Sequence, residues 1–356
     1  MQTGRPRASS PAWATLGRMP TPADARRKPT IRDVAAVAGV SRGTVSRVLN
    51  GGRWVSPEAQ AAVEKAIETT GYQANHHARS LATGRANSVA FLLTEPHHLL
   101  FEDPTFSRLL RGALDELARR SMTLVLLVAG TADERARIAT YVTGGHVDGV
   151  MLISAHESDP LLDGLIAAGV PTVTCGAPLG HLADVASVAI DEVEAARTLT
   201  RHLISQGHRR IGMITGPPDT PGGRYRLAGF REELGERFTP ALVAPGDYSR
   251  ESGRAAMRAL LAAPERPDAV FAASDLMALG ALETLREAGL RTPEDVAVAG
   301  FDDAREAATA NPPLTTVHQP FEDIAAQMVD LLVGIIDGGE VAARTLPGSL
   351  VVRDSA

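Results

Sequence analysis

From Ser88 onward the chain repeats one pattern: a short, continuously apolar run, a turn, then a longer stretch with apolar residues at helical spacing. Ser88–Leu93, Thr123–Val128, Gly149–Ile153 and Pro171–Thr174 are such runs, and Phe106–Arg120 and Asp133–Tyr141 are helical stretches between them. Short runs apolar on both faces are strands buried on both sides, and strands alternating with helices build a parallel sheet covered by helices. A second series follows, with Ile211–Ile214, Ala269–Ala272 and Val296–Gly300 as strands. Its helices lie near Glu192–Ser205, Tyr225–Leu234, Glu251–Leu261 and Leu276–Ala288. Two series predict two similar α/β subdomains, with ligand in the crevice beyond the strand C-termini.

Before Gly84 the texture differs. Residues 1–29 are rich in Pro, Ala, Ser and Arg without periodicity and are expected to be disordered, with Met19 an alternative start. Thr30-Ile31-Arg32-Asp33 then reads as a helix cap with a first-turn acid, and Val34, Val37 and Ala38 share a face. Gly39 ends that helix. Ser41 caps the next, where Val45, Val48 and Leu49 point inward, and Asn50-Gly51-Gly52 stops it. Ser56-Pro57-Glu58 opens a third helix that runs to Gly71. Two short helices across a tight Gly-containing turn, braced by a third, make a helix-turn-helix. The exposed face of its second helix carries Arg42, Gly43, Ser46 and Arg47 and no acid, as binding beside phosphate requires.

Charge follows the same division. Residues 1–85 hold 13 Lys+Arg against 5 Asp+Glu, a balance of +8, whereas the remaining 23 basic and 37 acidic residues leave −14 on the rest. A basic head on an acidic body fits a polyanion-binding module attached to something that must not bind polyanions; a basic disordered tail is the competing explanation. The single cysteine, Cys175, excludes an intrachain disulfide framework and a Cys-built zinc site, and fits a small buried hydrophobe. No apolar run reaches the roughly 18–20 residues of a membrane helix, so no membrane partner is expected. Pro11, Gly17, Arg18 and Pro20 break any signal-peptide core, which points to the cytosol and against an exported solute-binding protein. With no Gly-x-Ser-x-Gly, P-loop or HExxH, an enzyme is not expected, nor is any cofactor or metal.

The stretches Thr30-Ile31-Arg32-Asp33-Val34-Ala35, Ala38-Gly39-Val40-Ser41 and Thr44-Val45-Ser46-Arg47-Val48-Leu49-Asn50 resemble the DNA-binding signature of the lactose-repressor (LacI/GalR) family of bacterial transcriptional regulators. Ala78-Arg79-Ser80-Leu81 is similar to that family's hinge helix. Gly207-His208-Arg209-Arg210-Ile211, Arg226-Leu227-Ala228-Gly229-Phe230, Ser274–Gly280, Pro293–Asp303 and Pro313–Val317 continue the likeness in order. The resemblance implies an α + α/β protein. Its parts would be a disordered extension at 1–29, a helix-turn-helix head at 30–73, a hinge helix and linker at 74–85, and a two-subdomain periplasmic-binding-protein-like body at 86–356. The chain would cross between subdomains near Ala186–Ile190, Val317–Gln319 and Val341–Leu346. It would be a homodimer on a pseudo-palindromic double-stranded operator, since the end at Leu350–Ala356 lacks the heptad helix of tetrameric members.

By the same resemblance Arg42, Gly43 and Arg47 meet base edges, and the two arginines carry specificity because Gly43 has no side chain. Ser41, Thr44, Ser46 and Asn50 are phosphate donors, with helix capping the competing role for Ser41. Ala78 permits close approach of paired hinge helices, and Leu81 wedges into the minor groove. The effector would be a small, sugar-like molecule between the subdomains. Arg226 would open a helix and clamp it, Asp302 would accept from its hydroxyls, and Tyr248, Phe106, Ser154 and Asp275 would complete the site, with core packing the competing role for Phe106 and helix capping for Asp275. Two alternatives share these residues: a structural Arg226–Asp302 pair, and a co-repressor such as a nucleobase or nucleoside. Many members carry an acid where this chain has Gly176, so one hydroxyl-binding carboxylate is missing there.

Overall fold

A computed structural model describes residues 29–49, 54–72 and 84–356, which divide into two compact units, one up to Gly84 and one from Arg85. The expectations for the N-terminal extension, Asn50, Ala78 and Leu81 fall outside the described residues, apart from Pro29.

The first unit contains α1 (Ile31–Ala38), α2 (Arg42–Leu49) and α3 (Pro57–Thr70). Each boundary has a chemical cause. The Asp33 carboxylate reaches back to accept the Thr30 N–H at 2.7 Å, and Gly39 leaves α1 in the left-handed conformation at φ 65°. The Ser41 hydroxyl accepts the Thr44 N–H at 3.1 Å, and Ser56 does the same for Ala59 ahead of Pro57. Val34, Ala35, Val45, Val63 and Ala66 form the core. Val37, predicted to face inward with Val34 and Ala38, is instead 55% exposed. At about 100° per residue, Ile31, Val34, Ala35 and Ala38 span one arc, and Val37 falls just outside it.

The second unit has two sheets. One is a six-stranded parallel sheet built from β1 (Ser88–Leu93), β2 (Thr123–Val128), β3 (Gly149–Ile153), β4 (Thr172–Cys175), β5 (Ala186–Ile190) and β11 (Ala343–Leu346), in the order β11-β5-β4-β3-β1-β2. Helices α4 (Leu99–Glu102), α5 (Pro104–Arg119), α6 (Ala132–Tyr141), α7 (Pro160–Ala167) and, from the far end of the chain, α13 (Phe321–Ile336) accompany it. The other is a parallel sheet of β6 (Ile211–Thr215), β7 (Val243–Pro245), β8 (Ala269–Ala272) and β9 (Ala297–Ala299), in the order β7-β6-β8-β9. With it come α8 (Glu192–Ser205), α9 (Pro221–Leu234), α10 (Arg250–Leu261), α11 (Asp275–Glu287) and α12 (Arg305–Thr309). A short antiparallel pair, β10 (Thr316–His318) with β12 (Ser349–Val351), flanks it.

Three connections join the subdomains, after β5, after β10 and after β11. Ala186–Ile190 and Ala343–Leu346 prove to be paired strands of the first sheet, so the crossings follow them at Asp191 and at Pro347-Gly348. This interleaving places α13 on α5 and on the first sheet. Gly112 of α5 permits that packing, because a Cβ there would meet the Glu322 carbonyl oxygen at 2.4 Å. Likewise α8 and α9 meet at Gly229, whose Cβ would lie 2.3 Å from the Val193 carbonyl oxygen.

Candidate functional site

On α2 of the first unit, Arg42, Gly43 and Arg47 are exposed, Thr44 and Ser46 are half-buried, and no acid is present. Arg47 lies back along the helix, its Nε donating to the Gly43 carbonyl at 3.3 Å. Ser41 caps α2 and its hydroxyl meets that of Thr44 at 3.0 Å, so the capping role is realised.

In the second unit a cleft opens between the two subdomains, beyond the C-terminal ends of β1, β3, β4, β6 and β8. Its volume of about 130 Å³ is roughly ten times what one water requires. Arg226 is held deep in its wall, 8% exposed, with the guanidinium 3.9 Å above the buried Phe301 ring. Nε and Nη2 donate to the two Glu192 carboxylate oxygens at 2.6 and 3.2 Å, and Nη1 donates to the Ala273 carbonyl at 2.5 Å. The nearest Asp302 oxygen lies 3.7 Å from Nη1. Burial alone would lower the Arg226 pKa, but Glu192 and Asp302 more than offset it and keep the group charged. Asp302 sits at φ 113° and accepts the Gln319 amide at 2.8 Å. Burial pushes its carboxyl well above the usual range, against the pull of Arg226.

The structure brings Phe106, Ser154, Arg226, Tyr248 and Asp302 to this one cleft. Tyr248 is at φ 70° with its hydroxyl 3.0 Å from that of Thr220, and burial pushes its phenol up to about 12. Its ring fits because Gly216 has no Cβ, which would lie 2.3 Å away. Cys175 lines the cleft, and burial pushes its thiol up to about 12, far from a nucleophile.

Two expectations change. Arg226 does not open its helix: α9 starts at Pro221, where the Thr220 hydroxyl accepts the Gly223 N–H, so Arg226 belongs to the second turn. Asp275 does not line the cleft. Its carboxylate accepts the Ala304 N–H and the Thr316 hydroxyl, both at 2.6 Å, and burial raises it to about 7. The helix starts one residue earlier in effect, because Ser274 is the cap and it is Ser274 that faces the cleft.

Residues not singled out in the sequence complete the site. Asp103 caps α5 by accepting the Thr105 N–H at 2.8 Å, and burial raises its carboxyl. With Glu192 it supplies the carboxylates that Gly176 does not. At the rim, the Ser154 hydroxyl donates to Glu95, and His156 bridges Glu95 and Asp219 at 2.9 Å on each ring nitrogen. Glu95 and His156 follow β1 and β3, whereas Asp219 precedes α9, so this contact crosses the cleft. The Glu157 N–H donates to the Asp219 carbonyl at 2.7 Å and Arg224 pairs with Glu157 at 2.9 Å, giving three adjacent links. The Glu95 hydrogen bond, opposed by burial and aided by Asp219, lifts the His156 pKa to about 9. Only a clustering of His156 with nearby acids could have flagged this in the sequence.

Among the described residues no helix is long and apolar enough to cross a membrane, and no group of His, Cys, Asp and Glu forms a metal cage. A basic helix-turn-helix unit joined to a two-subdomain body around a largely apolar cleft with a few polar and charged side chains defines a DNA-binding regulator of transcription with a small-molecule-binding body. Residues 30–75 match the bacterial regulatory proteins of the lacI family and residues 200–356 the periplasmic binding protein-like domain. The chain belongs to the lacI family. It is 46% identical to the HTH-type transcriptional regulator CelR of Thermobifida fusca over 93% of this chain and 99% of that protein. Against the ribose operon repressor of Escherichia coli K12 it is 35% identical over 85% of this chain and 92% of that protein. Among solved structures, a CelR–cellobiose complex superposes with a TM-score of 0.74 at 44% identity, covering 92% of this chain and 100% of that one. The lac repressor dimer bound to operator and the anti-inducer ONPF gives 0.80 at 28% identity, covering 92% and 99%.

Proposed function

We propose that this regulator is a repressor that binds a pseudo-palindromic operator as a homodimer in the cytosol. Its operator affinity is controlled by a sugar or sugar derivative held in the cleft of the body. The observation that carries the reading is the Arg226–Asp302 pair in the cleft wall, with Arg226 stacked on Phe301 and Tyr248, Ser154 and Phe106 lining the same cleft. Arg226 donates to hydroxyl oxygens, Asp302 accepts from hydroxyl hydrogens, and the aromatic faces take the apolar side of a ring. The cellobiose of the CelR complex and the operon named for the ribose repressor support a saccharide. The protein acts by binding, with no reaction at the cleft.

In the head, Arg42 and Arg47 read base edges, Gly43 keeps the groove approach open, and Ser41, Thr44, Ser46 and Asn50 hold phosphates. Ala78 and Leu81 serve as the minor-groove hinge on the strength of their sequence alone. The test is anisotropy of a labelled operator titrated with the full chain, with and without cellobiose, ribose and other sugars. Log affinity should fall against log salt by about 0.9 per phosphate contact, and one sugar should change operator occupancy. A screen in which every sugar leaves occupancy unchanged would overturn the saccharide assignment.

A further inference from the structure

Arg226 is the one cation among the described residues that line the cleft, and three of its five N–H donors are already engaged, two of them by a carboxylate that balances its charge. Glu192 holds it side-on through Nε and Nη2, and the Ala273 carbonyl takes Nη1. Glu192 already balances this single positive charge, and burial pushes the carboxyls of the other two acids of the cleft, Asp302 and Asp103, towards the protonated form. Helix N-termini could offer an anion a second attraction, but two of those at the cleft already carry their own acid. Asp103 caps α5, and Glu192 is the first residue of α8. A third, at α9, opens with Pro221, which has no N–H, and gives its Gly223 N–H to Thr220.

We infer that Glu192 is the specificity-determining residue of the cleft: by occupying Arg226 it restricts the effector to uncharged polyols and excludes sugar phosphates and sugar acids. The inference rests on the saccharide reading above and sharpens it. A hydroxyl brings both a donor and an acceptor, so it can give its hydrogen to Asp302 or Asp103 while accepting from the Ser274, Thr220 or Tyr248 hydroxyls. A phosphate or carboxylate brings acceptors only. It would have to displace Glu192 from Arg226, leaving that carboxylate buried without a partner, or share the one guanidinium with it, two anions against a single cation.

The experiment is calorimetric titration of the full chain with matched pairs: cellobiose and cellobionate, glucose and glucose 6-phosphate, ribose and ribose 5-phosphate. In the native protein the neutral sugar that binds should do so about a hundredfold more tightly than its anionic counterpart. Glu192→Gln, which keeps the shape but gives up the charge, should narrow that ratio by about tenfold or more, chiefly by improving the anion. A purely structural role would weaken both members of a pair equally, and that result overturns the assignment. The native-protein ratio stands by itself should the variant not fold: an anion that binds as tightly as its neutral partner overturns the inference and leaves the saccharide reading intact. If no sugar of either kind binds, the saccharide reading fails and this inference fails with it.

Discussion

Raising the pH should undo the three-residue link at the cleft rim. The His156 pKa is lifted from 6.5 to about 9 by Glu95 and Asp219. That lift corresponds to about 3 kcal/mol, which the 22% exposure of the side chain trims to about 2 kcal/mol through solvent screening. Because the folded-state value is the higher one, this stability is fully present below about pH 6.5 and is lost as pH rises through about 9. Most of it remains at pH 7 and nearly all is gone at about pH 10. Tyr248 and Cys175, both pushed up to about 12 in the folded chain, titrate at their lower ordinary values once unfolded and so also reduce stability towards pH 10; comparison with a His156 variant cancels their share. Urea denaturation of the native chain and of His156→Gln, each at pH 7 and about pH 10, isolates the contribution. The native chain should lose about 2 kcal/mol more than the variant between the two pH values. Equal losses would show that the imidazole carries no proton of consequence and that the link is a crossing of neutral hydrogen bonds.

Three other expectations are direct. Asp302→Ala should abolish the operator response to the bound sugar while leaving sugar-free operator binding unchanged in anisotropy; a folded variant that still responds at the same concentration removes Asp302 from the site. Arg47→Ala should cost roughly 1–3 kcal/mol on the operator and relax preference at one base pair, whereas equal losses on random DNA would assign Arg47 to phosphate. Gly229→Ala places a Cβ 2.3 Å from the Val193 carbonyl oxygen between α8 and α9, and should lower stability by about 1–3 kcal/mol in thermal denaturation. An unchanged melting temperature would mean that the two helices part without cost.

Strands β1, β2, β3 and β8 and helix α8 fall at the bounds that apolar patterning predicts. Caps made the three head helices equally readable, because Thr30, Ser41 and Ser56 bond within their own first turn. Periodicity and capping are local, and a chain carries local information residue by residue. The strand β11, which precedes a crossing, was harder to read. In β11 exposed and half-buried residues alternate at the rim of a sheet, so no continuously apolar run marks it. The start of α9 was obscured by Pro221, Gly222 and Gly223, poor helix formers by composition that Thr220 and the first-turn position of Pro221 make acceptable. Arg226 and Asp302 were visible as motif residues, but the partner that fixes Arg226 was not. A glutamate at the head of a helix reads as an ordinary dipole-complementing acid, and only the packing of α8 on α9 turns Glu192 toward the guanidinium. That Asp275 turns away from the cleft and Ser274 faces it was likewise decided by Ser274 being the cap of α11, since one position of helix phase rotates a side chain by about 100°. Contacts among Glu95, His156 and Asp219 join three loops whose separation in sequence carries no trace of their meeting. They exist because three chain crossings hold two sheets with their strand ends facing one cleft.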